Sequence, residues 1–365
     1  MDDSIISDSI IDLKNHLSGI CIDEKLANRQ LIIFGASSGG IYLKNFLGLS
    51  GYVINNYCDN DQKKWGNFID GIKVVRPCDL FNLKQGNILV CIASNWAREI
   101  AAQLEQMGIE YLDLTNWSDR WKASFDPELI NTNVGLIEKT YRLFEDKYSK
   151  ACYQSVLKYR LTMKPEVLCL SDYDQYFHPL VKPEEEEVII DGGAFDGITA
   201  QRFNLALKDN CTIYSFEPEL KNWEALQNKI EKLGLSTVKA VKLGLWDQDS
   251  QSFLNIESDS GLGFYIDLNG TQRISLTSID SFVKRESVIP DLIKLDIEGS
   301  ELKALQGAVD TLKSYRPKLI TSIYHKPGDL WEIPLYIDSL DCGYRFYLGH
   351  HSQNVTETVL YCRAD

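Results

Sequence analysis

Twice in this chain a run of apolar residues leads through a glycine-containing turn into a helix-patterned segment, directly in the first case and by way of an aspartate in the second. The two stretches are "LIIFGASSGGIYLKNF" (Leu31 to Phe46) and "VIIDGGAFDGITAQRF" (Val188 to Phe203). Short, unbroken apolar runs of this kind suit strands buried on both faces, as in a parallel sheet covered by helices. Glycine after such a strand lets the backbone turn tightly and come close to a ligand. The helix that follows offers free N–H groups at its start. The doubled feature predicts an α/β chain with two parallel sheets, and 365 residues are enough for two cores.

The segments around each stretch fit that reading. In the first, "QLIIFG", "YVINNYCDND" and "GNILVCIAS" read as strands, and "SSGGIYLKNFLGL" and "NWAREIAAQLEQMG" as helices. Alternation of this kind builds right-handed βαβ units, so residues 1–117 are expected to form a small Rossmann-like domain. Residues 118–182 lose the alternation. They are helical in period and too rich in apolar and aromatic residues for a solvated linker, and so predict a helical bridge. From 183 to 365 the alternation resumes, with strands at "EVIIDGG", "CTIYSFEP", "TVKAVKLGLW", "DLIKLDIEG" and "KLITSIYHKP" and a closing antiparallel pair in "YRFYLGHHSQNVTETVLYC". Strand-like pieces between Asp247 and Ile279 predict an insertion near the site. The exposed joint between bridge and second sheet is expected near residues 183–187.

Composition narrows the partners. No apolar run approaches the roughly 20 residues that span a bilayer. The start "MDDSIISDSIIDLKNHL" has no basic segment of the secretory kind. Nine cysteines without a CxxC pair point to reduced thiols, and hence to the cytoplasm. A net charge of −14 with dispersed lysines argues against a nucleic-acid partner. A homo-oligomer is left open.

The acids after the second glycine strand are specific. Asp191 ends the strand, Gly193 follows, and Asp196 comes next. Two carboxylates would repel a pyrophosphate but suit a ligand with a cation or ammonium group, such as the sulfonium end of S-adenosylmethionine. Glu217 ends the next strand, about 25 residues after the glycines, where an acid can accept hydrogen bonds from both ribose hydroxyls.

With those residues in view, "VIIDGGAFDG", "YSFEPE", "LIKLDIEGSELKALQGA" and "RPKL" resemble the successive motifs of the FkbM family of S-adenosylmethionine-dependent methyltransferases. The resemblance runs from about Glu187 to Tyr361. It implies a class I methyltransferase fold, with a mostly parallel sheet and a C-terminal antiparallel hairpin, and usually methyl transfer to a hydroxyl. Carried over by position, Asp191, Gly193, Asp196 and Asp296 would line the methionine end of the cofactor, and Glu217 would hold its ribose. Leu245 and Asp247 would lie near the adenine, with Asp247 either taking the exocyclic amine or capping a turn. The first unit is similar to small Rossmann-like domains fused to bacterial sugar-modifying enzymes. "FGASSGG" lacks the GxGxxG spacing. Asp59 lies as far beyond Gly35 as Glu217 does beyond Gly193, so a nucleotide or sugar-nucleotide site and a packing or dimerisation module both stay open.

Methyl transfer from a sulfonium is an in-line displacement, so the protein mainly positions the acceptor. A hydroxyl acceptor must also lose a proton. At the carboxyl ends of the strands stand Asp296 and Glu298 after the fourth and His325 after the fifth. His325 is the expected base, because an imidazole titrates near neutrality; its other reading is a turn residue before Pro327. Asp296 is expected to orient the acceptor, with Glu298 and Trp331 as acceptor-side groups. A divalent ion bridging Asp296, Glu298 and His325 is an alternative. The resemblance and the fused first domain, rather than any one residue, imply an O-methyltransferase acting on a carbohydrate hydroxyl, in a nucleotide-linked sugar or glycan precursor. The alternatives are a polyketide or other small-molecule acceptor, or a binding protein without turnover.

Overall fold

The computed structural model describes residues 22–115, 117, 123–256, 264–266 and 272–365. The acidic start of the chain and part of the expected insertion lie outside them. The chain divides into two compact units. Unit 1 holds the described residues up to Glu138, with Ala151–Leu170 and His350–Thr356. Unit 2 holds Lys139–Lys150, Ser171–Gly349 and Glu357–Asp365. Residues 118–182, read above as a bridge, are shared between them.

Unit 1 is built on β1 (Gln30–Phe34), β2 (Ile54–Cys58), β3 (Phe68–Ile69), β4 (Ile72–Val75), β5 (Ile88–Ile92) and β6 (Tyr111–Asp113), in the order β3-β4-β2-β1-β5-β6. All neighbours are parallel except β3 and β4. That hairpin was not read from the sequence. Its signal is the Asp70–Gly71 pair, both residues at positive φ (49° and 77°), the conformation a two-residue hairpin turn demands. Ile32, Phe34, Val90 and Ile92 pack with Ala97, Ile100 and Leu104 of the helix Ala97–Gln106, whose apolar residues recur at helical spacing.

Unit 2 is built on β7 (Val188–Gly192), β8 (Thr212–Phe216), β9 (Val238–Val241), β10 (Gly244–Leu245), β11 (Ser250–Ile256), β12 (Phe264–Ile266), β13 (Gln272–Thr277), β14 (Leu292–Leu295), β15 (Lys318–Ser322), β16 (Tyr344–His350) and β17 (Thr358–Ala364). The main sheet runs β16-β17-β15-β14-β7-β8-β9. From β15 to β9 it is parallel, and β17 is antiparallel to β15. This is the mostly parallel class I methyltransferase sheet. The first strand of the unit, β7, sits between β8 and β14, so the chain reverses its direction of sheet growth there. In open α/β sheets ligands bind at such a switch point, beyond the carboxyl ends of the strands. The insertion forms a small sheet of its own, β10-β13-β11-β12.

Helices follow β7, β8 and β14, as Ile198–Ala206, Leu220–Leu233 and Glu301–Gln306. The last breaks at Gly307. A Cβ there would meet the Trp246 carbonyl oxygen at 2.2 Å. A second helix, Val309–Tyr315, then takes over. The helix Asp329–Ser339 escaped the sequence reading because it carries Pro334 in its interior, a residue that normally ends helices.

Candidate active site

A cavity of about 350 Å³ opens at the carboxyl ends of β7, β8 and β14. Three turns shape it. After β7 the backbone N–H groups of Gly193 and Ala194 both donate to the Phe216 carbonyl, each at 3.0 Å. That fold-back puts Gly193 at φ +74°, and a Cβ on it would lie 1.8 Å from the Asp296 carbonyl oxygen. Only glycine fits. Gly193 lines the cavity.

After β8, the Glu217 carboxylate joins two loops. Its Oε2 accepts from the Phe195 N–H and its Oε1 from the Glu219 N–H, both at 3.0 Å. Glu217 is buried yet lines the cavity. Burial pushes its pKa up, against those two backbone donors, to about 7. Each carboxylate oxygen keeps a further lone pair for a ligand hydroxyl.

After β14 the chain runs Asp296, Ile297, Glu298, Gly299 and Ser300 into the helix Glu301–Gln306. The Glu301 side chain closes this turn by accepting from the Ile297 N–H at 2.8 Å. The same Oε1 lies 2.8 Å from His325 Nδ1. His325 Nε2 lies 3.4 Å from Asp296 and 3.5 Å from Glu298. Burial alone would lower the imidazole pKa; Glu301, with Glu298 and Asp296, outweighs it and raises the value to about 9. Asp296 responds in the opposite sense. Burial would raise its pKa, but His325, Lys294 and the Tyr176 hydroxyl hold it below the ordinary carboxylate value. The Tyr176 hydroxyl donates to Asp296 at 2.6 Å, and the Tyr324 hydroxyl at 3.4 Å.

The structure brings five of the expected residues to the cavity wall: Gly193, Glu217, Leu245, Asp296 and Glu298. The others stand elsewhere. Asp191 is fully buried, 3.0 Å from Lys294 Nζ, and accepts from the Ser215 hydroxyl at 3.2 Å. The expectation that its charge meets the ligand gives way to an internal ion pair. Asp196 accepts from Ile198 N–H and pairs with Lys229 at 2.8 Å. Asp247 pairs with Lys303 at 2.7 Å. Trp331 is buried in its helix. His325 is 1% exposed and sits behind Asp296. The Glu301, Glu298 and Asp296 carboxylates favour the protonated imidazole, which has no lone pair for an acceptor's proton and so weighs against the expected role as base. Ligand atoms of Asp296, Glu301 and His325 lie within 4.8 Å of one another; the closest pair of them is joined by the 2.8 Å hydrogen bond to Nδ1.

Sequence reasoning missed Lys294, Tyr176, Gln175, Tyr324 and Glu357, all on the wall. Lys294 had a signal. A lysine in the middle of the apolar strand "LIKL" must find a buried partner, and it reaches Asp191 and the Gly192 and Gly193 carbonyls. Tyr176 and Glu357 have positive φ (72° and 66°), as do Phe195 and Glu298 (50° and 57°). Four strained non-glycine residues around one cavity mark it as a site held in shape by its surroundings.

Comparison with known proteins agrees with this geometry. Residues 191–346 match the family model described as the methyltransferase FkbM domain, and residues 6–111 match one described as a C-methyltransferase C-terminal domain. No curated protein matches the chain. Among solved structures, methyltransferase FkbM from Methylobacillus flagellatus KT is 22% identical, with a TM-score of 0.76 over 99% of this chain and 98% of its own. A UDP-D-quinovosamine 4-dehydrogenase from Vibrio fischeri is 29% identical over 23% of this chain and 76% of its own (TM-score 0.22). An S-adenosylmethionine-dependent methyltransferase from Aquifex aeolicus is 13% identical over 50% of this chain and 84% of its own (TM-score 0.32). The glycine cradle and the buried acid after β8 lie within the matched span, so the second unit carries a methyltransferase FkbM domain, and the chain is an S-adenosylmethionine-dependent methyltransferase.

Proposed function

We propose that the chain methylates a hydroxyl of a carbohydrate, with Glu357 taking the acceptor's proton. The observation that carries this reading is the set of polar groups at one part of the cavity wall: Gln175, Tyr176, Asp296, Glu298, Tyr324 and Glu357. Such a wall of acceptors and hydroxyls suits a ligand with several hydroxyl groups. Glu217 would hold the cofactor ribose, Gly193 would let the backbone approach it, and Leu245 would pack beside the adenine. Bound S-adenosylmethionine supplies a methyl group on a sulfonium. That methyl would pass to the acceptor oxygen with a neutral thioether as the leaving group, and the part left to this chain is to place the acceptor and to take its hydroxyl proton on a carboxylate.

Two acids on this wall are tuned apart. Asp296 is held ionised by the His325 cation and Lys294. Burial, with the neighbouring Asp296 and Glu298 charges, lifts Glu357 to about 7, against the Gln175 amide and His325. Tyr176 and Tyr324 face the same carboxylates and stay protonated, because burial first and those charges second push both hydroxyls up. A carboxyl near 7 can accept a proton at neutral pH and return it to solvent. Asp296 and His325 then act as a fixed ion pair that orients the acceptor.

Glu357→Gln is expected to lower kcat about 10²- to 10⁴-fold, measured as S-adenosylhomocysteine release with a panel of hexoses and nucleotide sugars. Stability supplies a second readout. A carboxyl whose folded pKa is raised contributes stability that is present below its unfolded value and is lost as pH rises through the folded one. For Glu357 that window runs from the ordinary glutamate value to about 7. Ligand-free wild type should lose stability across it, and Glu357→Gln should lose less, so the variant has the higher Tm at pH 8. Equal turnover and equal pH dependence of Tm would remove Glu357 from this role. The match of residues 6–111 to a C-methyltransferase C-terminal domain favours a second reading, transfer to carbon. The NMR shift of the transferred methyl separates an O-methyl from a C-methyl product.

A further inference from the structure

We propose that unit 1 carries its own ribonucleotide site, in the crevice between β1 and β5. This inference does not rest on methyl transfer. The crevice has a volume of about 290 Å³ and is lined by Gly35, Asp59, Ser94, Trp96 and Glu99, among others. It lies at the carboxyl ends of β1, β2 and β5. The sheet order places β1 between β2 and β5, so this is the switch point of unit 1, as the β7 edge is of unit 2.

Unit 1 also repeats the acid arrangement of unit 2, hydrogen bond for hydrogen bond. Past the glycine that ends β1, the Ala36 N–H donates to Asp59 Oδ2 at 2.8 Å. Past the glycines that end β7, the Phe195 N–H donates to Glu217 Oε2 at 3.0 Å. Two residues after each acid, the chain's own N–H donates to the other carboxylate oxygen: Asp61 to Asp59 Oδ1 at 2.8 Å, and Glu219 to Glu217 Oε1 at 3.0 Å. Each acid is thereby fixed at the mouth of a cavity. Asp59 also pairs with Lys64 at 2.8 Å, and its Oδ1 retains a lone pair for a sugar hydroxyl. The glycine is as tightly demanded as Gly193, since a Cβ on Gly35 (φ +125°) would lie 2.3 Å from the Ala93 carbonyl oxygen.

Unit 1 adds an aromatic wall of its own. Trp96 is 68% exposed at the crevice, just before the helix Ala97–Gln106. An exposed tryptophan beside this crevice offers a face for a planar base, while the anchored carboxylate offers acceptors to ribose hydroxyls. Together they fit a nucleoside with an intact ribose.

The test is calorimetry on the full chain held saturated with S-adenosylhomocysteine, so that the unit 2 cavity is filled. UMP, AMP and UDP-glucose are titrated, each against its 2′-deoxy analogue. At least one ribonucleotide is expected to bind, with its deoxy analogue at least about fivefold weaker. Trp96→Ala, a change at an exposed position, is expected to weaken binding at least about fivefold, the lower end for loss of one base–aromatic stack. Absence of binding by all three up to millimolar concentration would overturn the proposal. So would binding that ignores both the 2′-hydroxyl and Trp96.

Discussion

Replacing Gly193 with alanine is expected to abolish S-adenosylmethionine binding and to destabilise the full chain by about 3 kcal/mol or more. Two costs combine. A side chain at φ +74° is strained in itself, and the new Cβ would sit 1.8 Å from the backbone oxygen of Asp296, which cannot swing aside as a flexible side chain can. Relief requires the β7 turn to part from the β14 turn. That movement would carry Asp296 away from the Tyr176 hydroxyl and Gly193 away from the Phe216 carbonyl. Denaturant unfolding and a cofactor titration measure the two effects separately. A variant with wild-type stability would mean that the turns adjust freely and that the cradle is not rigid.

Lys294→Met should be nearly as damaging. Lys294 and Asp191 are 1% and 0% exposed, 3.0 Å apart. Removing one member of a buried pair leaves the other charged and unmatched, at a cost of about 3–5 kcal/mol. The lysine also donates to the Gly192 and Gly193 carbonyls, each at 3.0 Å, so its loss frees the glycine turn as well. The double variant Asp191→Asn with Lys294→Met should recover part of the loss, because the orphaned charge is then gone. If Lys294→Met unfolds at the wild-type denaturant midpoint, the pair does not hold the β7 edge together.

The sheets were legible because their signals are local. A short apolar run specifies a buried strand without knowledge of anything distant, and β1, β7, β8 and β14 all fall where such runs stand; at β1 and β7 the glycines mark the turn as well. The short β3–β4 hairpin was missed because two- and four-residue strands carry too little periodicity, although Asp70–Gly71 marked its turn. The site was legible in part for the same reason. Gly193 and Glu217 are defined by their own strand ends. The internal partners of Asp191 and His325 could not be read locally because they lie far away in sequence: Lys294 for the first, and Glu301 with Asp296 for the second. Charge in a sequence indicates that an acid needs something positive. It does not say whether a ligand or a buried lysine supplies it. Tyr176 and Glu357 reach the cavity from segments with no motif around them, and only the fold joins them to Asp296.

The domain edges expected near residues 183–187 bear on the site as well. Tyr176 lies before that point and donates to Asp296 at 2.6 Å. We therefore propose that the working methyltransferase unit begins ahead of Ser171, where the described residues of unit 2 resume.

We propose that the cavity at the β7, β8 and β14 edge holds S-adenosylmethionine, with Glu217 on its ribose. Calorimetric titration of the full chain with the cofactor, beside Glu217→Ala, tests it most directly. One cofactor is expected per wild-type chain, with a loss of about 1.5–3 kcal/mol in the variant, the scale for hydrogen bonds to a charged group. Wild type that does not bind, or a variant that binds as tightly as wild type, would contradict it.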